Sequence, residues 1–279
     1  MAGQSAKESA QIPASEAFLK LLGIMAKLRD PNGGCPWDLE QSFRTIVPHT
    51  IEEAYEVADA IEQDDLESLE SELGDLLFQT VFYAQMAREA GRFDMADVVR
   101  TLNDKMIKRH PHVFGQVEIA DADQQTHAWE RQKAEERAAE AAAKGLKPSA
   151  LDGVIPGLPA LTRAEKLQKR AARVGFDWPQ AAQVLDKIVE ETAEIRAALE
   201  QKAAKDSVAE EIGDLLFAVV NLARHLEIDG EGALRSANRK FERRFRKVEE
   251  ILAAQGKEPA GSTLDEMEAA WVQAKRDER

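Results

Sequence analysis

Glu211-Ile212-Gly213-Asp214-Leu215-Leu216-Phe217 repeats, nearly letter for letter, Glu72-Leu73-Gly74-Asp75-Leu76-Leu77-Phe78. Each copy follows a second acidic cluster by about twenty residues. That cluster is Glu190-Glu191-Thr192-Ala193-Glu194 in the later copy and Glu52-Glu53-Ala54-Tyr55-Glu56 in the earlier one. The chain thus carries EExxE followed by ExxD, twice. Residues three and four apart share one face of a helix. Glu191 has Ile188 at i−3 and Ile195 at i+4, in line with Val184 and Ala198. Glu211 falls between Val208 and Leu215. In the earlier copy Glu53 leads Val57 and Ile61, and Glu72 lies between Leu69 and Leu76. Carboxylates are therefore expected to point with the core-facing residues.

That placement needs a chemical reason. An unpaired ionised carboxylate away from water costs several kcal/mol or shifts its pKa until it is neutral, and neighbouring carboxylates repel. A hard divalent cation removes both costs, because Mg²⁺ and Mn²⁺ favour carboxylate oxygens and water. Glu-rich helices are usually solvated, but a solvated ladder places Lys four residues after Glu. Here Ile195 and Leu215 hold those positions. The matched spacing in both copies favours metal.

Around these motifs the pattern is helical. Periodicity predicts helices at Phe18–Leu28, Thr50–Ile61 (with Thr50 and Glu53 as a capping box), Leu66–Ala90 and Met95–Arg109. In the second half it predicts Leu161–Val174, Ala181–Gln201, Asp206–Leu226 and Gly232–Gln255. His127–Lys144 reads as a solvated helix or linker. The expected class is all-α, with two tandem helical-bundle domains of one origin joined by a helical, Pro/Gly-containing linker. The expected divisions are a loose tail at 1–15, a first domain at 16–125, a linker at 126–159 and a second domain at 160–279.

Composition narrows the function. The 279 residues carry a net charge of −14, which argues against nonspecific nucleic-acid binding. Cys35 is the lone cysteine, so neither a disulfide framework nor a Cys-rich zinc site is available. The first fifteen residues lack an apolar signal core, and no apolar run approaches the roughly 18 residues that span a bilayer. No membrane association and a cytoplasmic location are the expectations. A phosphate-cradling GxxxxGK[ST] loop is absent. Lys187 precedes Glu190 and Glu191 by one turn, and Lys240 and Arg244 share a helix face. Cations beside a carboxylate–metal site suit a polyphosphate, although spacing alone favours ordinary surface charge. Trp178 and Trp271 are candidates to stack a base or to pack in the core.

Taken together, these residues resemble the MazG family of nucleoside triphosphate pyrophosphohydrolases, in its tandem-domain bacterial form. The resemblance runs from Leu21-Leu22-Gly23-Ile24-Met25 to Trp271. It includes Gly34-Cys35-Pro36-Trp37-Asp38, both EExxE/ExxD pairs, Lys108-Arg109-His110-Pro111-His112-Val113-Phe114, Val174-Gly175-Phe176-Asp177-Trp178 and Lys240-Phe241-Glu242-Arg243-Arg244-Phe245. It implies Mg²⁺-dependent hydrolysis of NTPs and dNTPs to monophosphate and pyrophosphate, with Mn²⁺ as a possible substitute, and a homodimer. The cellular role would be nucleotide-pool housekeeping or stress-related nucleotide control. It implies Glu191, Glu194, Glu211 and Asp214 as metal ligands and Lys187, Lys240, Arg244 and Trp271 as nucleotide contacts. Glu190 or Glu191 would accept the proton of the attacking water. The earlier cluster, Glu52, Glu53, Glu56, Glu72 and Asp75, would be a vestigial metal site. Rival readings are a narrow-specificity all-α dNTP pyrophosphatase acting on dUTP or dCTP, and a regulatory protein that binds nucleotide without turnover.

Overall fold

The computed structural model describes residues 13–116, 121–143 and 145–278, and it divides into two compact units, Met1–Gln125 and Thr126–Arg279. All regular elements among the described residues are helical. The first unit contains α1 (Ala14–Leu28), α2 (Pro36–Glu40), α3 (Phe43–Glu62), α4 (Leu66–Glu89), α5 (Met95–Arg109) and α6 (Pro111–Phe114). Helix α7 (Ala122–Ala143) runs on into the second unit, which continues with α8 (Ala160–Ala172), α9 (Ala181–Glu200), α10 (Lys205–His225), α11 (Gly230–Ala254), a 3₁₀ turn at Pro259–Gly261 and α12 (Leu264–Asp277).

The tail expected at 1–15 lies outside the described residues up to position 12, and α1 already begins at Ala14. From Thr126 onward α7 counts with the second unit. Its Glu130 pairs with Arg173, at the end of α8, at 2.6 Å.

In each unit the two motif helices form a hairpin, α3 with α4 and α9 with α10, and a preceding helix, α1 or α8, packs across the second of the pair. In the first unit Met25, Ile46, Val81, Phe82 and Met86 form the buried core. Arg29 closes its edge. The guanidinium pairs with Glu89 at 2.7 Å and lies 5.4 Å from the Phe82 ring centroid. Burial pushes the Glu89 carboxyl up, but hydrogen bonds from Arg29 and Gln85 outweigh it and leave the group below its ordinary value. In the second unit Val248, Leu252 and Ala270 join α11 to α12.

Helix α3 corrects the sequence reading. It starts at Phe43, where Ser42 and Thr45 form the capping box. Thr50 is internal, and its hydroxyl donates to Ile46 O at 3.2 Å. Pro48 lies within the helix and leaves the Arg44 carbonyl without its usual donor, which the helix tolerates near its start.

After α1 and after α8 the chain turns back onto the end of the helix. Cys35 N donates to Leu28 O at 2.8 Å, and Phe176 N donates to Ala171 O at 3.1 Å. Gly34 packs so closely on the Leu28 and Asp30 backbone that a Cβ would collide, and Gly175 takes φ +86°.

Candidate active site

Helices α9 and α10 bring the later motif together. One carboxylate oxygen each from Glu191, Glu211 and Asp214 lies within 4.8 Å of the others. Glu191 is the buried member, 4% exposed, as its apolar neighbours predicted. Lys187, one turn earlier on α9, reaches Glu190 at 2.7 Å and Glu191 Oε1 at 2.7 Å. These two carboxylates hold the Lys187 ammonium above the ordinary lysine value. Glu191 Oε2 is sequestered with no hydrogen-bond partner. A buried carboxylate with one oxygen unpartnered, clustered with two further carboxylates, is the electrostatic setting a divalent cation relieves, so the donor set fits a metal.

Glu194 is exposed and outside this tight triplet, yet burial of its carboxyl, then the charges of Glu191 and Glu211, push its pKa up. Glu190 is also exposed and holds Lys187 at its edge.

The earlier motif builds a parallel cluster. Glu53, Glu56 and Glu72 place carboxylate oxygens within 4.8 Å of one another. Burial, then Asp75 and Glu56, push the Glu53 carboxyl up. Gln79 Nε2 donates to Glu53 Oε1 at 3.5 Å. His49 holds the place of Lys187 and lies 3.8 Å from Glu52.

Beside the later cluster opens a cavity of about 730 Å³, with Lys187, Glu191 and Asp214 among its lining residues. Phe176 and Trp178 line it too, 82% and 40% exposed. Asp177, between them, is held by Arg224 and by His225 Nε2 at 3.1 Å. Burial raises the Asp177 carboxyl, but these partners outweigh it and the net shift is downward. Trp178 was open between stacking and core, and the structure puts it at the cavity. Gln168, Asn221 and Arg224 line the cavity as well. Sequence patterning gave no sign of them, because a lone polar residue on a helix reads as solvated.

Lys240, Arg244 and Trp271 lie elsewhere in the second unit and do not line the cavity. Arg244 Nε donates to Glu278 Oε2 at 2.7 Å, and its guanidinium lies 5.9 Å from the Trp271 centroid. Phe241 packs on the same ring at 5.4 Å, and Lys240 is exposed.

Against this geometry the comparisons are specific. The MazG nucleotide pyrophosphohydrolase domain matches twice, at residues 41–114 and 180–249, so each match carries one EExxE/ExxD pair. The chain belongs to the MazG family. It is 53% identical over 260 residues to the nucleoside triphosphate pyrophosphohydrolase of Escherichia coli K12, covering 93% of this chain and 97% of that protein. It is 43% identical to the nucleoside triphosphate pyrophosphohydrolase/pyrophosphatase MazG of Thermotoga maritima, covering 92% and 95%. The nucleoside triphosphate pyrophosphohydrolase of Mycobacterium tuberculosis is 35% identical over 58% of this chain and 46% of its own. Gln168, Trp178 and Trp271 fall outside both MazG-matched segments. No helix among the described residues is long and apolar enough to cross a membrane.

Proposed function

We propose that this protein hydrolyses nucleoside and deoxynucleoside triphosphates at the α–β linkage, giving monophosphate and pyrophosphate, with Mg²⁺ as the metal and Mn²⁺ as a working substitute. The observation that carries the reading is the buried, half-unpartnered Glu191 clustered with Glu211 and Asp214 beside a cavity that Glu191 and Asp214 help to line. Near-complete coverage by relatives named for this activity supports it.

Glu191, Glu211 and Asp214 would hold the metal, with Glu194 completing the set from the exposed side. When bound, the ion neutralises phosphate charge and makes a bound water more acidic. The chain's own residues do the rest. Lys187 places a compact positive charge where the phosphates enter. Glu190 or Glu191, on the same helix, accepts the proton of the attacking water. Phe176 and Trp178 offer aromatic faces for a base. Lys240, Arg244 and Trp271 are proposed as a second nucleotide contact. In support, Arg244 already binds a carboxylate and stacks on an indole, and a phosphate is an anion of the same kind.

A homodimer is part of the proposal. In support, Val189, Leu216 and Val219 are 69%, 51% and 46% exposed on the motif helices. A sedimentation mass of a single 30.9 kDa chain would contradict it.

The direct test of function is pyrophosphate release from a panel of four NTPs and four dNTPs with Mg²⁺. Release from all of them is the expected result. Turnover of a single nucleotide would replace the proposal with a narrow-specificity enzyme, and binding without turnover would replace it with a regulatory protein.

A further inference from the structure

The cavity beside the later motif differs in two wall residues from the corresponding region of the first repeat. Asn221 stands seven residues after Asp214, as Phe82 stands seven after Asp75. Gln168 on α8 stands three residues before Ala171, whose carbonyl accepts Phe176 N, as Met25 on α1 stands three before Leu28, whose carbonyl accepts Cys35 N. All four side chains are buried. In the first repeat Met25 and Phe82 belong to the apolar core. In the second the same two places hold carboxamides, 6% and 4% exposed, on the wall of a cavity.

Burying two carboxamides where a thioether and a phenyl ring suffice is costly unless something completes their hydrogen bonds. The protein completes only part. Gln168 Nε2 donates to Phe217 O at 2.8 Å, which fixes the orientation of the amide and leaves Oε1 as an acceptor without a partner. Asn221 Oδ1 accepts from Arg224 Nε at 2.9 Å and Nη2 at 2.6 Å. Its Nδ2 amino group is what it has to offer a ligand. Arg224 is in turn held by Asp177, so the Asn221 amide is oriented by a chain of charged partners.

Position selects the ligand. Asp214 and Asn221 lie two turns apart on α10, a rise of about 10 Å. With phosphates at Asp214, the base of the same nucleotide extends to Asn221. Every standard base presents on its pairing edge an N–H donor beside an acceptor, the complement of a free amide oxygen and a free amide N–H. We propose that Gln168 and Asn221 are specificity-determining residues that read the pairing edge of the nucleobase, Gln168 Oε1 accepting a base N–H and Asn221 Nδ2 donating to the adjacent acceptor. The inference rests on the reading of the carboxylates as the triphosphate site. It gives the cavity a preference for an intact pairing edge rather than for one base.

The test compares kcat/KM for pyrophosphate release from ATP, from purine riboside 5′-triphosphate, which lacks the 6-amino donor, and from 1-deaza-ATP, which lacks the ring acceptor. The full-length protein should favour ATP over each analogue by about tenfold. Gln168→Met, the first repeat's own residue and a near-isosteric change, should keep the thermal midpoint. It should bring the ATP to purine riboside ratio close to one. Asn221→Ala should do the same for the ATP to 1-deaza-ATP ratio, which keeps the test open if one variant fails to fold. Equal rates for ATP and both analogues in the unaltered protein, or ratios unchanged in the folded variants, would overturn the inference and leave the pyrophosphohydrolase reading standing. Absence of pyrophosphate from all three nucleotides would instead overturn that reading, and this inference with it.

Discussion

Asp214→Asn removes one charge from three carboxylates crowded within 4.8 Å and leaves the side-chain volume almost unchanged. Turnover should fall by about 10²-fold or more, because a lost metal ligand costs several kcal/mol at the transition state. The metal-free protein should melt no lower than before, since repulsion inside the triplet is relieved. Pyrophosphate release near the original rate would end the metal assignment. Asp177 gives a prediction of opposite character. Its pKa is lowered in the fold, so its stabilisation is fully present above the ordinary aspartate value of about 3.9 and is lost as pH falls through the lower folded value. Asp177→Asn should therefore cost about 1–2 kcal/mol at neutral pH, and the gap should narrow in melts taken well below the ordinary aspartate value. An equal gap at both pH values would contradict the ion-pair account. At this scale the sequence was informative where side-chain type conflicted with helical position. Glu191 among isoleucines announced itself. Gln168 and Asn221 did not, because their burial depends on which helices cross, and no periodicity records that.

Helix α12 carries Trp271 onto the core of Val248, Leu252 and Ala270, and it begins at a reciprocal cap in which Thr263 and Glu266 satisfy each other's backbone N–H groups. Thr263→Ala should lower stability by about 1 kcal/mol, read in chemical melts followed by tryptophan fluorescence. No change would mean that the cap is not a determinant of this element. The signal for α12 is present in Thr263 and Glu266, at capping-box spacing, although the helices expected from periodicity end near Gln255. Helices α2 and α6 were not expected, and α1 and α7 begin four and five residues before the predicted Phe18 and His127, whereas α4, α5 and α8 to α11 were legible to within two residues, since their apolar period is long and their ends carry Gly91, Pro111 or Gly256. The start of α3 was not. Thr50 with Glu53 mimics a cap, and Pro48 looks like a boundary, whereas the helix carries both inside and is anchored by packing of Ile46 in the core. Local cap chemistry lost there to tertiary burial.

Across the molecule, the same motif appears in two settings. The first repeat has its carboxylates, but Met25 and Phe82 belong to the apolar core and His49 stands where the second repeat has Lys187. Glu53→Gln with Glu72→Gln should leave pyrophosphate release within about twofold and hold or raise the melting temperature, because Glu53 is raised by burial and by neighbouring carboxylates. A large loss of rate would show that the first repeat takes part in turnover. The duplication itself was legible in the sequence, as was the two-domain plan it implies. The difference between the copies was not, since it depends on what fills the space beside each hairpin. The central claim is cleavage between the α and β phosphates, and it is tested most directly by the products. With Mg²⁺ and ATP labelled on the γ phosphate, the account predicts label in pyrophosphate and AMP as the nucleotide product. Label in orthophosphate with ADP, or no release at all, would contradict it.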